Sequence, residues 1–74
     1  MELKNVKAQA LSFMRLPQVK ARTGLSRSEI YRRIRAGTFP APVKLGTRAS
    51  AWAESEVLDW CGARIAERDS KVAA

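Results

Sequence analysis

From Leu16 onward the apolar positions fall into short periodic runs with strong punctuation between them. Pro17 suits the first turn of a helix, where its missing N–H would be unpaired anyway, and Gly24 can supply the left-handed residue that ends one. These signals predict a first helix from about Pro17 to Thr23. Beyond the glycine, Ser26-Arg27-Ser28-Glu29 has capping-box spacing: the serine hydroxyl can accept the Glu29 N–H while that carboxylate accepts the Ser26 N–H. In the second helix that this box opens, Ile30 and Ile34 stack on one face, Gly37 ends the run, and Pro40 and Pro42 block any extension. Only Gly24-Leu25-Ser26 separates the two helices, a spacing suited to a helix-turn-helix pair with a small core of Val19, Leu25, Ile30 and Ile34.

Farther along, Val43 to Trp52 shows two apolar-polar alternations around a glycine turn, the pattern of a β-hairpin. An even-numbered loop places Trp52 on the same face as Val43 and Leu45, so that face is expected to pack inward while the turn and Arg48 project outward. Glu54-Ser55-Glu56 then brings negative charge to a helix start, and Val57, Leu58, Trp60, Cys61 and Ile65 form an apolar stripe to about Glu67. Ser70 to Ala74 are expected to fray. Ahead of all this, Leu3, Val6, Ala10 and Phe13 recur at helical spacings without a strong N-cap. Residues 1–14 therefore read either as a frayed or partner-dependent helical arm, or as a leader ending in an extended piece at Ser12 to Arg15. The expected organisation is an arm over 1–14, a domain over 15–69 and a tail over 70–74. The expected fold is mainly α with a small β-hairpin, a winged helix-turn-helix.

A chain of 74 residues has room for one small core and no second domain. Its formal charge of +7 points to a polyanionic partner, and the charge is unevenly placed. Between residues 15 and 52 stand nine basic side chains and one acid, Glu29, whereas the last 22 residues carry three basic and five acidic ones. A solubilising coat would not partition in this way; a protein pressing one region against phosphate would.

Several chemistries find nothing to use. There is no histidine, and the lone Cys61 offers neither an intramolecular disulfide nor a zinc ligand set, so it reads as a small buried hydrophobe. Glu54, Glu56 and Asp59 sit where a helix dipole welcomes carboxylates rather than as an acid-base pair. No cofactor, metal, catalytic residue or small-molecule substrate is expected. The apolar runs are too short to cross a bilayer and the first residues lack a compact apolar signal core, so a cytoplasmic, nucleoid-associated protein is expected.

Duplex DNA is the partner that the basic segment suits. The exposed face of the second helix of such a pair enters the major groove, with residues near its N-terminus reaching base edges. With Ile30 and Ile34 inward, Ser28, Arg32 and Arg35 project from the opposite side, Arg27 stands at the tip and Tyr31 lies on a flank. Arg32 and Arg27 can each pair bidentately with guanine. Tyr31 reads either as a sugar or phosphate contact or as a lid on the core. Arg33, on the other flank, is expected to send its head to phosphate or to Glu29. Lys44, Thr47 and Arg48 are wing candidates for the neighbouring groove, and Arg15, Lys20 and Arg22 for the sugar-phosphate backbone. Trp52 and Trp60 read as core.

The run Arg15-Leu16-Pro17-Gln18-Val19, then Thr23-Gly24-Leu25-Ser26-Arg27-Ser28 with Ile30-Tyr31-Arg32, then Phe39-Pro40 and Pro42-Val43-Lys44-Leu45-Gly46, and finally Trp52 with Glu54-Ser55-Glu56-Val57 and Trp60, closely resembles the AlpA family. The likeness covers about residues 15–61 in order. It implies a MerR-like winged helix shared with phage excisionases and DNA binding through helix 26–36 and the 43–52 wing. It further implies control of a mobile element's genes, or a directionality factor that turns an integrase toward excision. Lys20 departs from related helix pairs, which commonly carry alanine there, so its stem must bend outward. One recognition helix reads few base pairs, so cooperative self-association on DNA is expected as well. An RNA-binding accessory protein and a basic protein-interaction module are the alternatives. The first would show exposed aromatics on a sheet, and the second would bind duplex DNA without steep salt dependence.

Overall fold

Local capping chemistry shapes the first two helices of the computed structural model, which describes residues 11–73. A short strand β1 (Phe13–Met14) leads into helix α1 (Leu16–Thr23). Pro17 lies in its first turn, and the Arg15 N–H donates to Gln18 Oε1 at 2.7 Å. A guanidinium cannot accept a bond in return, so this is half of a capping box. Gly24, at φ 78°, closes α1 and donates its N–H to the Lys20 carbonyl at 2.8 Å. The Thr23 hydroxyl donates to the Val19 carbonyl and accepts the Leu25 N–H, tying the turn to the helix it follows. Helix α2 (Arg27–Arg35) opens with the expected box: the Glu29 N–H donates to Ser26 Oγ at 3.2 Å and the Ser26 N–H to Glu29 Oε1 at 2.9 Å. Those bonds, the backbone one foremost, hold the Glu29 carboxyl below its ordinary range, with Arg32 and Arg33 adding attraction. Gly37, again at φ 78°, turns the chain away after α2.

Strands β2 (Val43–Gly46) and β3 (Ala49–Ala53) make the expected hairpin, but β1 joins it to give a three-stranded antiparallel sheet in the order β1-β3-β2. The inward face differs from the expectation. Gly46 pairs with Ala49, yet Lys44 pairs with Ser50 and Val43 with Ala51, so Leu45 is an extra residue in the ladder. One extra residue reverses the parity of everything beyond it. Trp52, 1% exposed, thus sits opposite Met14 and shares a face with Lys44, while Val43 and Leu45 are 40% and 48% exposed.

The core joins Met14, Val19, Ile30, Phe39, Trp52 and Val57, with Leu16, Leu25, Tyr31, Ile34 and Trp60 packed against it. Met14 comes from the segment read as an arm, where the extended alternative holds at Phe13–Met14. The helical arm expected from Leu3, Val6 and Ala10 lies outside the described residues. Helix α3 (Glu54–Ala73) follows β3 directly. Its Glu54 N–H donates to the Ser12 carbonyl at 2.9 Å, and the Ser12 hydroxyl bonds the Glu54 carboxylate, clamping the helix start to the residue that precedes β1. The helix expected to end near Glu67 runs on to Ala73 instead of fraying, since no glycine or proline interrupts Glu67 to Ala73. Cys61, expected to be buried, is half-buried on this helix. No helix among the described residues is long and apolar enough to cross a membrane.

Candidate nucleic-acid interface

Burial of Ile30 orients α2 and leaves Arg27, Ser28, Arg32 and Arg35 exposed. Tyr31 is half-buried and meets Trp52 edge-on, ring centres 6.2 Å apart at 66°. It is a lid on the core, and the Arg27 guanidinium stacks over its outer side at 5.3 Å. Its rim remains accessible, because Arg27, Ser28, Tyr31 and Arg35 together line a shallow cleft of about 390 Å³. Stacking restrains the long Arg27 side chain before any ligand arrives, leaving its planar fork of donors free to meet an anion or a base edge. Arg32 stands outside this cleft.

The bulge at Leu45 matters here, because it turns Lys44 to the Trp52 face of the sheet, the face that touches α2 through Tyr31. Thr47 and Arg48 form the exposed hairpin turn. Two indole N–H groups hold the linker between α2 and the hairpin: Trp52 donates to the Pro40 carbonyl at 3.0 Å and Trp60 to the Thr38 carbonyl at 2.7 Å. The other basic candidates are more scattered. Lys20 and Arg15 are exposed, Lys20 as its expected outward stem requires, and neither lines the α2 cleft. Arg22 lines a separate cleft of about 400 Å³ with Ser12, Gln18 and Glu54 among its neighbours.

Arg33 packs its stem on the expected flank of α2 without a hydrogen bond or ion pair to Glu29. Its guanidinium lies over the Trp60 ring at 5.8 Å, drawn there by an aromatic face that only the docking of α3 supplies. Arg64, which the sequence reading left unassigned, covers the same ring at 5.0 Å. Its i, i+4 spacing from Trp60 was the signal that could have found it. Among the described residues no group of three or more His, Cys, Asp or Glu side chains is placed to hold a metal ion.

The chain belongs to the AlpA family: residues 12–65 match the family model described as prophage CP4-57 regulatory protein (AlpA). It is 52% identical to protein ORF88 of enterobacteria phage P4, over 76% of this chain and 64% of that relative, so it spans just under two thirds of that protein's length. It is 33% identical to the DNA-binding transcriptional activator AlpA of Escherichia coli (strain K12), over 74% of this chain and 87% of that one. No solved structure gives a significant match.

Proposed function

We propose that this chain is a sequence-specific duplex-DNA-binding regulator with a winged helix-turn-helix architecture, working in the cytoplasm on a mobile element's DNA and performing no catalysis. The observation that carries the reading is the exposed basic face of α2, with a further cation on the hairpin. Helix α2 exposes Arg27, Ser28, Arg32 and Arg35, and the exposed Lys44 shares a sheet face with Trp52, the residue that Tyr31 of α2 meets. The name of the Escherichia coli relative, a DNA-binding transcriptional activator, supports it.

In this reading α2 enters the major groove, where Arg27 and Arg32 pair with guanine edges and Ser28, Tyr31 and Arg35 add contacts. Lys44, Thr47 and Arg48 approach the adjacent groove, and Arg15, Lys20 and Arg22 hold phosphates. About five phosphate contacts give a log-log salt slope of roughly −4 to −5. Fluorescence titration of duplex DNA between low and moderate salt tests this, and a slope near zero overturns it. An integrase and neighbouring copies on repeated half-sites are the partners proposed on DNA. A footprint over an attachment sequence assigns excision; a footprint over a promoter assigns transcriptional control.

A further inference from the structure

The side of α2 turned away from the hairpin carries a second site that the DNA-binding reading does not use. Arg33 and Arg64 both stack on Trp60, and Phe39 meets the same ring edge-on at 4.9 Å. The Nε atoms of both arginines are buried and have no hydrogen-bond partner among the described residues. A buried Nε is out of a ligand's reach, so the outer guanidinium nitrogens of the two arginines, brought together on one ring, are the donors left to meet an anion. They line an open cleft of about 700 Å³, together with Thr38, Phe39, Trp60 and Glu67.

We propose that this cleft binds a carboxylate-bearing segment of a partner protein, an aspartate or glutamate flanked by an apolar residue. Three features select that occupant. Planar guanidinium forks match a carboxylate bidentately, and their stacking on Trp60 orders them beforehand. The half-buried Trp60 ring, backed by the core residue Phe39, gives an apolar neighbour of the acid a surface to pack on. Glu67, paired with Arg64 at 3.2 Å, puts a negative charge on the rim. That exposed pair is weak enough to yield to one incoming carboxylate, but it stands against a continuous run of phosphates.

Resting on the proposed orientation of α2, geometry also separates this site from the DNA. At about 100° per residue, Arg33 lies about 160° around the helix from Arg35, about 140° from Ser28 and about 100° from Arg32. A duplex centred on Ser28 and Arg35 is therefore turned away from the cleft.

The test follows the arginine Nε–Hε and tryptophan Nε1–H resonances of the full chain by NMR. The probes are a capped Ala-Phe-Asp-Leu peptide, its Ala-Phe-Asn-Leu counterpart, inorganic phosphate, and random duplex DNA. The acidic peptide should shift Arg33, Arg64 and Trp60, leaving Arg27 and Trp52 in place, and the amide peptide should do nothing. Arg33→Gln or Arg64→Gln should weaken the peptide by about tenfold or more and leave duplex affinity unchanged. The peptide response is recorded first without DNA, so a failure to bind duplex counts against the DNA-binding reading alone. Shifts of the Arg33 and Arg64 resonances by duplex or phosphate as large as those by peptide overturn the proposal in favour of a nucleic-acid contact. No response to the peptide at millimolar concentration overturns it outright, whatever the variants do.

Discussion

The indole N–H of Trp52 donates to the Pro40 carbonyl at 3.0 Å while the ring of the same residue meets Tyr31 edge-on. A single β3 side chain thereby sets the path of the linker after α2 and the approach of the sheet to α2. Trp52→Phe keeps an aromatic ring but strands the half-buried carbonyl, which should cost about 1–3 kcal/mol in urea unfolding. It should also weaken DNA binding at salt concentrations where the fold is intact, because Tyr31, on which Arg27 stacks, packs against the Trp52 ring. An unchanged urea midpoint would show that the bond contributes nothing.

Glycine replacements should split by backbone conformation alone. A methyl group at Gly24, Gly37 or Gly62 meets no atom within 4 Å, so crowding is not at issue. Gly24 and Gly37 hold φ 78°, where an L side chain is strained, and Gly24→Ala or Gly37→Ala should each destabilise by about 1–2 kcal/mol. Gly62 is exposed in the middle of α3, and Gly62→Ala should stabilise by about 0.5–1 kcal/mol. Thermal melts of the three variants decide this.

The capping box of α2 makes a pH-dependent contribution. Ser26→Ala should cost about 0.5–2 kcal/mol at neutral pH. Because the folded Glu29 carboxyl titrates below its unfolded value, its contribution is complete above the ordinary glutamate range and disappears as pH falls through the lowered folded value. The gap between wild type and Glu29→Gln in circular-dichroism melts should therefore close on acidification below the ordinary glutamate range. A gap that widens there would contradict the assignment.

Reading and holding should separate between α2 and the hairpin. Arg32→Ala should lose about 1–3 kcal/mol at a cognate site and little on random duplex, whereas Lys44→Ala should weaken both by similar amounts. Equal losses for Arg32→Ala on the two DNAs would make it a phosphate contact.

Elements whose signals act over a few residues were legible in the chain. Gly24 ends α1 because only glycine adopts φ 78° without strain, and Ser26 opens α2 because its hydroxyl lies within reach of Glu29. With those ends set, Ile30 and Ile34 had to face inward and Arg27, Ser28, Arg32 and Arg35 outward, so the α2 face followed from spacing alone. The direction of Trp52 did not. It depends on a bulge at Leu45 and on Met14, far away in sequence, which pairs with Trp52 from the other edge of β3. Arg33 likewise lies over Trp60 rather than paired with Glu29 only because α3 brings an indole beside it. Helix ends and exposed faces are decided by bonds between residues within one turn of each other. Strand parity and the partners of flanking side chains are decided by contacts between distant segments, and those form only when the core closes.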